Sequence, residues 1–303
     1  MFTALVMSKF LPAVLPPFLV LDPLLQGWLL EDIGRGDRTT QAIFPLGDQT
    51  HIGCAQWVAK QAGVVAGMPL AARLFNHLND KVVFTSNVNE GQWCDSGQAI
   101  AELSGPVDAL LMGERVALNL VMRLSGIATL TREFVDLIND LPTHFVDTRK
   151  TTPGLRLLEK YAAQVGGAMN HRMGLDDAVM IKDNHIAAAG GIQQAISKIR
   201  ACIPYPLTIE VETENLKMVG EALECNADII MLDNMSLPLM AQAVQLIRSK
   251  SERCKVEASG NITLKNIREV AETGVDYISS SAPVTRSHWL DISMRLQLNS
   301  FSA

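Results

Sequence analysis

Between residues 143 and 283, an apolar run that ends in charged or small polar residues recurs six times. The six runs are HFVDTRK (144–150), DAVMIKDNH (177–185), LTIEVE (207–212), ADIIMLDN (227–234), KVEASGN (255–261) and VDYISSSA (275–282). Stretches with helical periodicity separate most of them, and buried parallel strands read as near-continuous runs of Val, Ile and Leu. The pattern therefore predicts an α/β barrel whose strands all end in polar residues.

The first third of the chain has a different rhythm, with short strand candidates separated by glycines and turns. These candidates span 51–59, 63–66, 81–88 and 99–104, and a helix is predicted over 69–78. From Val107 to Asn139, apolar residues recur at three- and four-residue steps, as they do in helices. We therefore expect a smaller α+β domain with an antiparallel sheet, joined to the barrel by a long helical region.

The two ends of the chain carry predictions of their own. Residues 1–30 are strongly apolar, but Pro12, Pro16 and Pro17 interrupt any helix there. The chain also lacks the run of about 20 uninterrupted apolar residues that a membrane span needs, and no convincing signal-peptide cleavage site follows the segment. We expect a docked N-terminal arm and a first helix that leads to 24–31. At the other end, 291–298 is predicted to form a final helix that returns to the first domain.

Composition narrows the class of ligand. The chain has 303 residues, is 48% hydrophobic and carries a net charge of −6, which supports a large folded core and argues against a nucleic-acid partner. Basic residues at the strand ends are therefore a local exception, and they favour a small anionic ligand. The five cysteines show no metal-binding spacing, which is typical of buried or incidental thiols in a reducing cytoplasm.

The polar strand ends are the candidate site, because barrel chemistry takes place on the loops after the strands. Thr148, Arg149 and Lys150 follow the first run, and Asn170, His171 and Arg172 precede the second. Arginine suits bidentate carboxylate binding and lysine suits phosphate. A solvated loop is the alternative for the first triplet, and a structural role is the alternative for His171.

The remaining strand ends leave several roles open. Lys182 could bind an anion or form a Schiff base. Glu212 and Asp233 could hold a divalent cation, bind sugar hydroxyls or offset the cations, and the pattern does not choose between Glu210 and Glu212. Two turns of small residues, Ser259-Gly260-Asn261 and Ser280-Ser281-Ala282, would let backbone N–H groups approach a phosphate.

These residues lie within motifs that resemble those of bacterial quinolinate phosphoribosyltransferases. The likeness runs from Glu31 nearly to the C-terminus. Its most specific parts are GERVALNLVMRLSGIAT (113–129), DTRKTTPGLRLLEKYA (147–162), GGAMNHRMGLDDAVMIKDNHI (166–186), IEVE (209–212), MLDN (231–234) and EASGN (257–261). So many ordered matches make chance resemblance implausible.

The resemblance implies a fold and domain boundaries. The family combines a small N-terminal α/β sandwich with an open, seven-stranded α/β barrel, in a homodimer that shares its active sites. We expect the sandwich over 1–127, the barrel over 128–286, and a C-terminal helix over 287–303 that packs back on the sandwich. The expected activity makes nicotinate mononucleotide, pyrophosphate and CO₂ from quinolinate and phosphoribosyl pyrophosphate, in NAD biosynthesis in the cytoplasm, with neither nucleic acid nor membrane as partner.

The resemblance also implies residue roles. Quinolinate would be bound by Arg115 of the neighbouring subunit and by Thr148, Arg149, His171 and Arg172. Lys150, Lys182, Glu212 and Asp233 would be catalytic. Lys150 and Lys182 would bind charge shared between the two substrates, and the family spacing selects Glu212 over Glu210. Glu212 and Asp233 would also hold the ribose hydroxyls and Mg²⁺, directly or through substrate. The 5′-phosphate would lie against Ser259, Gly260, Asn261, Ser280, Ser281 and Ala282.

One position departs from the family pattern. Ser281 stands where the family usually has a glycine, so a Cβ is present where backbone could approach phosphate, although the hydroxyl could itself donate a hydrogen bond. A barrel lyase that uses Lys182 or Lys150, a protein that kept the fold without turnover, and a relative with a different acceptor are the competing hypotheses.

Overall fold

The computed structural model describes residues 12–44 and 51–298. The chain forms two compact units, and each is described by itself below. The smaller unit contains Pro12–Leu130, Gln164–Gly166 and the segment from Ser287 onward, and the larger contains Thr131–Ala163 and Gly167–Arg286. The main division thus follows Leu130, close to the predicted boundary at 127. The predicted N-terminal arm falls largely on residues 1–11, outside the described residues.

Helices and strands are numbered separately in chain order. The helices are α1 Phe18–Ile33, α2 Arg38–Ile43, α3 Met68–Leu78, α4 Val107–Asp136, α5 Arg156–Gly166, α6 Asp183–Ala189, α7 Ile192–Arg200, α8 Leu216–Glu224, α9 Leu237–Lys250, α10 Ile267–Glu272 and α11 Ala282–Arg286. The strands are β1 Ile52–Ala59, β2 Gly63–Val64, β3 Val83–Ser86, β4 Trp93–Cys94, β5 Ala99–Pro106, β6 His144–Val146, β7 Val179–Ile181, β8 Ile209–Thr213, β9 Ile229–Asp233, β10 Lys255–Ser259, β11 Tyr277–Ser279 and β12 Ile292–Leu298. None of the helices within 12–44 and 51–298 has both the length and the hydrophobicity that crossing a membrane requires.

The smaller unit is built on a four-stranded antiparallel sheet in the order β12-β1-β5-β3. Its core centres on the fully buried Trp57, whose ring meets Phe84 edge-on at 5.4 Å and Phe75 at 6.3 Å between centroids. Edge-to-face aromatic pairs of this kind add to the stabilisation that burial provides. The predicted α+β domain with an antiparallel sheet is therefore present.

The predicted C-terminal helix is wrong. Ile292–Leu298 is an extended strand, and its pairing with β1 sets Met294 opposite Trp57 and Arg295 opposite Gln56. The sequence ISMRLQL alternates apolar and polar residues, which is the two-residue period of a strand with one buried face. The segment does join the smaller unit, as an edge strand of its sheet; residues 299–303 lie outside the described part of the chain.

The larger unit contains all six predicted strands, in one parallel sheet with the order β6-β11-β10-β9-β8-β7. Strands β8, β9 and β10 are mostly buried because they lie in the middle of this sheet. Parallel strands end at the same edge, so their C-terminal residues are brought to one side of the unit.

The seventh strand of the family fold is reduced to a single bridge. Met169 lies outside β6 and pairs with Val146, and its N–H donates to the carbonyl of Phe145 at 2.9 Å. Beyond this edge, Arg172 Nη1 donates to the carbonyl of Ala178, the residue before β7, at 2.8 Å. The two edges of the sheet are therefore close but not paired as strands, which is the geometry of an open barrel.

Candidate active site

A cavity of about 620 Å³ opens at the carboxyl ends of the parallel strands. It is lined by Thr148, Arg149, Lys150, His171, Arg172, Met180, Lys182, Glu212, Met231, Asp233, Asn234, Glu257, Ser259, Gly260, Asn261 and Ser279. The structure thus brings together most of the side chains that the sequence nominated, from loops widely separated along the chain. Arg115 lies exposed on α4, in the smaller unit, and does not line this cavity.

A smaller cavity of about 160 Å³ is formed by the two turns predicted for phosphate. It shares Thr148, Lys150, Ser259, Gly260, Asn261 and Ser279 with the larger cavity and adds Ile262, Ser280, Ser281, Ala282 and Arg286. Its lining combines two cations with hydroxyl and amide groups, and no carboxylate contributes to it. That composition suits a bound phosphate.

Three cations of the site lack a carboxylate partner. Arg149, Lys150 and Arg172 form no salt bridge with any residue in the described part of the chain, and the Nε atoms of both arginines are buried without a hydrogen-bond partner. Burial and the neighbouring charge of Arg149 lower the pKa of Arg172. Lys150 is exposed, whereas Arg149 and Arg172 are half-buried, and an unpaired cation that is partly desolvated is stabilised when an anion binds beside it.

Three acids line the same cavity, and two of them, Glu212 and Asp233, lie at the ends of neighbouring strands. Glu212 at the end of β8 pairs with Lys182, whose Nζ lies 2.6 Å from its Oε2. Burial and the charge of Glu212 raise the pKa of Asp233 at the end of β9, while Asn234 donates a hydrogen bond to that carboxylate at 2.7 Å. Of the two glutamates that the strand pattern left open, Glu212 lines the cavity and Glu210 does not.

The buried floor of the site is a cluster that the sequence interpretation missed. His171 Nε2 lies 3.1 Å from Glu210 Oε2 and 3.5 Å from Glu257 Oε2. The backbone N–H of Arg172 donates to His171 Nδ1 at 2.8 Å, so the ring proton is on Nε2 and points at the carboxylates. Burial and the charge of Glu210 raise the pKa of Glu257 to about 8, which favours its protonated form at neutral pH.

The protonated imidazole nitrogen decides what this cluster can hold. A histidine ligates a metal through an unprotonated nitrogen, and the other nitrogen usually donates a hydrogen bond. Here Nδ1 accepts a hydrogen bond instead, which leaves the proton on the nitrogen that faces Glu210 and Glu257. The cluster is therefore suited to hold His171 in one tautomer rather than to bind a cation.

The loops after β9 and β10 are locked together by a glycine and two asparagines. Gly260 has φ +96°, and a Cβ at this position would clash with Asn234 Oδ1. Asn261 Nδ2 donates to the same oxygen at 3.0 Å. Only glycine fits at position 260, so this turn has a steric cause. The MLDN motif was recognised in the sequence, but Asn234 was assigned no role in it.

Comparison with known proteins gives the same family for both halves of the chain. The family model described as "Quinolinate phosphoribosyl transferase, N-terminal domain" matches residues 37–125. The model described as "Quinolinate phosphoribosyl transferase, C-terminal domain" matches residues 127–295. Together these matches cover both the antiparallel sheet and the parallel sheet described above.

Similar proteins that match along most of their length, and solved structures, point to the same family. A Synechocystis sp. protein described as a "probable nicotinate-nucleotide pyrophosphorylase (carboxylating)" is 59% identical over 94% of this chain and 95% of its own length. A Bacillus subtilis protein with the same description is 46% identical over 94% of this chain and 96% of its own. The structure of NadC from Streptococcus pyogenes superposes with a TM-score of 0.89 at 42% identity, covering 95% of this chain and all of that one. This chain belongs to the quinolinate phosphoribosyltransferase family.

Proposed function

We propose that this chain converts quinolinate and phosphoribosyl pyrophosphate to nicotinate mononucleotide, pyrophosphate and CO₂, a step of NAD biosynthesis. One observation carries the proposal. Arg149, Lys150, Arg172 and Lys182 converge on a single cavity whose other ionisable groups include Glu212 and Asp233. Such a site suits two polyanionic substrates and still offers carboxylates to a sugar that develops positive charge.

The arginines are suited to the pyridine dicarboxylate. Arg149 and Arg172 carry unpartnered Nε–H groups, and each guanidinium is a planar fork that matches a carboxylate. Their mutual repulsion would be relieved when the two carboxylates of quinolinate bind. His171 lies between Arg172 and the buried glutamates, where its ring can contact the bound pyridine.

The smaller cavity is suited to the 5′-phosphate of the sugar substrate. Lys150 lines both cavities, so it can interact with a ligand that extends from one into the other. Glu212 and Asp233 would then face the ribose, and Lys182 would lie beside Glu212 near the departing pyrophosphate. This arrangement orders the two substrates side by side.

The reaction follows from these positions. The pyridine nitrogen of quinolinate forms a bond to the anomeric carbon of ribose as the bond to pyrophosphate breaks, with the electron pair leaving on pyrophosphate. Carboxylates beside the ribose stabilise the positive charge that develops there, and cations stabilise the leaving group. The cationic ring nitrogen then accepts the electrons released when the adjacent carboxylate departs as CO₂, and the ring carbon takes up a proton. Enclosure of the reacting ring by the cavity would limit which groups can supply that proton.

The donor set also fits Mg²⁺. Magnesium is usually bound by one or two carboxylates together with substrate phosphates and water, and Glu212 and Asp233 supply two carboxylates at the cavity wall. Burial and the charge of Glu212 raise the pKa of Asp233, so a cation there would relieve an unfavourable interaction. When bound, Mg²⁺ would neutralise charge on the pyrophosphate group.

We further propose a homodimer in which Arg115 completes the partner's site. Arg115 is exposed on α4 and does not line the cavity of its own chain. Mixing Arg115→Ala with Arg149→Ala tests this arrangement, because a mixed dimer would contain one intact site. Recovery of activity on mixing is the expected result, and two variants that stay inactive after subunit exchange would refute the shared site.

The cytoplasm is the proposed location, and the state of the cysteines supports it. Cys54, Cys94, Cys202, Cys225 and Cys254 are all free thiols. Disulfides are rare in reducing compartments, where unpaired cysteines are the ordinary state.

The direct test of the activity is an assay of both products. Incubation with quinolinate, phosphoribosyl pyrophosphate and Mg²⁺ should release pyrophosphate and CO₂ in equal amounts. Release of neither product would refute the proposed function, and equal turnover of nicotinate would refute the choice of acceptor. Borohydride trapping tests the lyase hypothesis, which is not favoured because Lys182 is ion-paired with Glu212 and partly exposed. A Schiff-base lysine instead requires a desolvated or otherwise depressed amine.

A further inference from the structure

A buried ion pair lies directly behind the residues that face the cavity. Lys160 on α5 and Asp147 after β6 form a salt bridge, and the Lys160 side chain has no exposed surface. Neither residue lines either cavity. Burying two opposite charges is weakly stabilising at best, so such a pair is retained for another reason more often than for stability.

The pair is linked to the segment that carries His171 and Arg172. Asp147 Oδ1 accepts a hydrogen bond from the backbone N–H of His171 at 2.8 Å, and its Oδ2 accepts one from Asn170 Nδ2 at 2.6 Å. Asn170 Nδ2 also donates to the carbonyl of Lys160 at 3.0 Å. The network therefore holds the side chain of Asn170 and the backbone N–H of His171.

The carboxylate of Asp147 is held by hydrogen bonds in this environment. Burial raises the pKa of Asp147 and lowers that of Lys160, which taken alone would favour two neutral groups. Three donors converge on the Asp147 oxygens, however, from Lys160, Asn170 and His171. A carboxylate that accepts several hydrogen bonds is held in its charged form. Its orientation is therefore fixed by three groups at once.

His171 is held from its other side as well. Its Nδ1 accepts from the Arg172 backbone, and its Nε2 faces Glu210 at 3.1 Å. Two buried acids thus hold His171: Asp147 accepts a hydrogen bond from its backbone N–H, and Glu210 faces its imidazole ring. Met169 has only a single bridge to β6, so a full ladder of hydrogen bonds does not hold this segment in place. The side-chain network replaces the missing strand pairing.

We propose that Asp147 and Lys160 are positioning residues: as an ion pair they set the backbone at Asn170–Arg172 and so aim His171 and Arg172 into the cavity. The inference rests on the proposed function, because it concerns how the same site binds its dicarboxylate. Neither residue lines the cavity. Their effect reaches the ligand through the segment at 170–172, which Asp147 holds by its hydrogen bonds to Asn170 and His171, and through Thr148 and Arg149, which follow Asp147 in the chain.

The first experiment compares Asp147→Asn, Lys160→Met and the double variant that carries both changes. Each single change leaves one buried charge unpaired and should lower the melting temperature, whereas the double variant removes both charges and should recover much of the loss. Arg172 should nonetheless remain misplaced in all three. The two variants with Asp147→Asn lose the carboxylate that accepts from the His171 N–H, and Lys160→Met loses the cation that orients this carboxylate. The KM for quinolinate should rise about tenfold or more, with less than about a threefold change in the KM for phosphoribosyl pyrophosphate.

The chain offers a matched control. Asp276 accepts hydrogen bonds from Arg248 Nη2 at 2.6 Å and from the backbone N–H of Val256 at 2.7 Å, at the opposite end of the same sheet. Asp276→Asn therefore removes a carboxylate that, like Asp147, accepts from one cationic side chain and one backbone N–H; Lys255 also lies 3.5 Å from it. It should lower the melting temperature without a selective change in either KM. An effect of Asp147→Asn that matches this control would show a purely structural role.

A binding measurement separates this inference from the proposed function. Benzene-1,2-dicarboxylate has the two adjacent carboxylates of quinolinate but no nucleophilic nitrogen, so its affinity can be measured by calorimetry without turnover. We expect the double variant to bind it about tenfold more weakly than the unmodified chain. Wild-type affinity in a double variant of near-normal stability would overturn the positioning role, whatever the turnover assay shows. If the double variant does not fold, Asn170→Ser, which removes only the two hydrogen bonds of Asn170, takes its place with the same criteria.

Discussion

The two ends of the parallel sheet treat charge in opposite ways. At the amino end, Asp276 is paired with Arg248 at 2.6 Å and lies 3.5 Å from Lys255, and Asp228 accepts a hydrogen bond from the Ile209 backbone at 2.8 Å. Each of these carboxylates therefore has partners within the fold. They join neighbouring strands and helices, and their charge is largely neutralised within the protein.

At the carboxyl end, positive charge is left over. Arg149, Lys150 and Arg172 have no salt-bridge partner among residues 12–44 and 51–298, and two of them bury an unpartnered Nε. Among the cations of the cavity, Lys182 is paired, with Glu212. The difference teaches that the amino end uses charge to hold the sheet together, whereas the carboxyl end keeps charge for a ligand. Substitutions at the two ends should therefore change different measurements.

Arg149→Ala is expected to have the largest effect. Loss of a charged, bidentate carboxylate contact costs about 1.5–3 kcal/mol per hydrogen bond, so kcat/KM for quinolinate should fall at least about a hundredfold. The melting temperature should not fall, because Arg149 has no salt bridge to lose and its charge opposes that of Arg172. Steady-state kinetics and thermal melts check both points.

The amino end supplies the control for that variant. Arg200 lies 3.7 Å from Asp228, and both side chains are substantially exposed. Arg200→Ala should leave kcat/KM unchanged and alter stability only slightly, since exposed ion pairs contribute about 0–1 kcal/mol. Unchanged affinity of Arg149→Ala for quinolinate would contradict its assigned role, and an equal loss in both variants would remove the distinction between the two ends.

Asp233→Asn should separate activity from stability. The carboxylate is disfavoured by burial and by Glu212, so replacing it with an amide should raise the melting temperature of the ligand-free protein by a few degrees. Turnover should fall at least about tenfold because a carboxylate facing the ribose and Mg²⁺ is lost. Melting curves with and without Mg²⁺ provide the measurement. A variant that is both less stable and fully active would contradict this account of Asp233.

The strand ends were predictable because their signals are local. Each of the six runs changes from apolar to polar within a few residues, and parallel strands must end together. Lys182, Asp233 and one of the pair Glu210 and Glu212 could therefore be assigned to one site from the strand pattern. Motif resemblance added the chemistry, the family fold and the choice of Glu212. In the folded chain these side chains surround one cavity.

What could not be predicted depends on distant packing. Glu257 lies in a recognised motif, but its raised pKa comes from burial in the folded chain and from Glu210, which belongs to another strand. Nothing in the sequence distinguishes Lys160 from an ordinary helical lysine. Its ion pair with Asp147 arises only from the way α5 packs in the folded chain. The seventh strand consists of one bridge and so leaves no apolar run to detect. The C-terminal strand was a different error, because its two-residue alternation was present in ISMRLQL and was taken for a helix.

Glu257→Gln should change how stability depends on pH. The folded pKa of about 8 lies above the ordinary value of 4.5, so the folded chain holds a proton that the unfolded chain releases. Stability should therefore decline as pH rises between those values and level off above the folded pKa. Glutamine cannot ionise and should flatten this decline. Melting temperatures measured from about pH 5 to pH 9 test the prediction.

An exposed glutamate provides the comparison for that titration. Glu252 is exposed in the short segment between α9 and β10, so Glu252→Gln should leave the pH profile of stability unchanged. If Glu257→Gln and the unmodified chain showed the same decline with pH, the proton would not reside on Glu257. The buried floor of the site would then need a different charge assignment.

Ser281→Gly is expected to have the smallest effect. Ser281 is not among the residues with positive φ, so its backbone does not require the glycine that the family usually has there. The change removes one hydroxyl from the smaller cavity, and the KM for phosphoribosyl pyrophosphate should change by less than about threefold. Stability should fall by about 0.5–1 kcal/mol because glycine loses more conformational freedom on folding.

Gly260→Ala makes this last comparison sharper. Gly260 has a φ of +96°, which alanine adopts only with strain, and the added Cβ would clash with Asn234 Oδ1. The variant should therefore disturb the loops after β9 and β10 and weaken phosphoribosyl pyrophosphate binding far more than Ser281→Gly does. Kinetics of both variants at saturating quinolinate measure the difference. A larger effect from Ser281→Gly would mean that its hydroxyl is a principal phosphate donor, and that this chain replaced the family glycine with a side-chain contact of comparable strength.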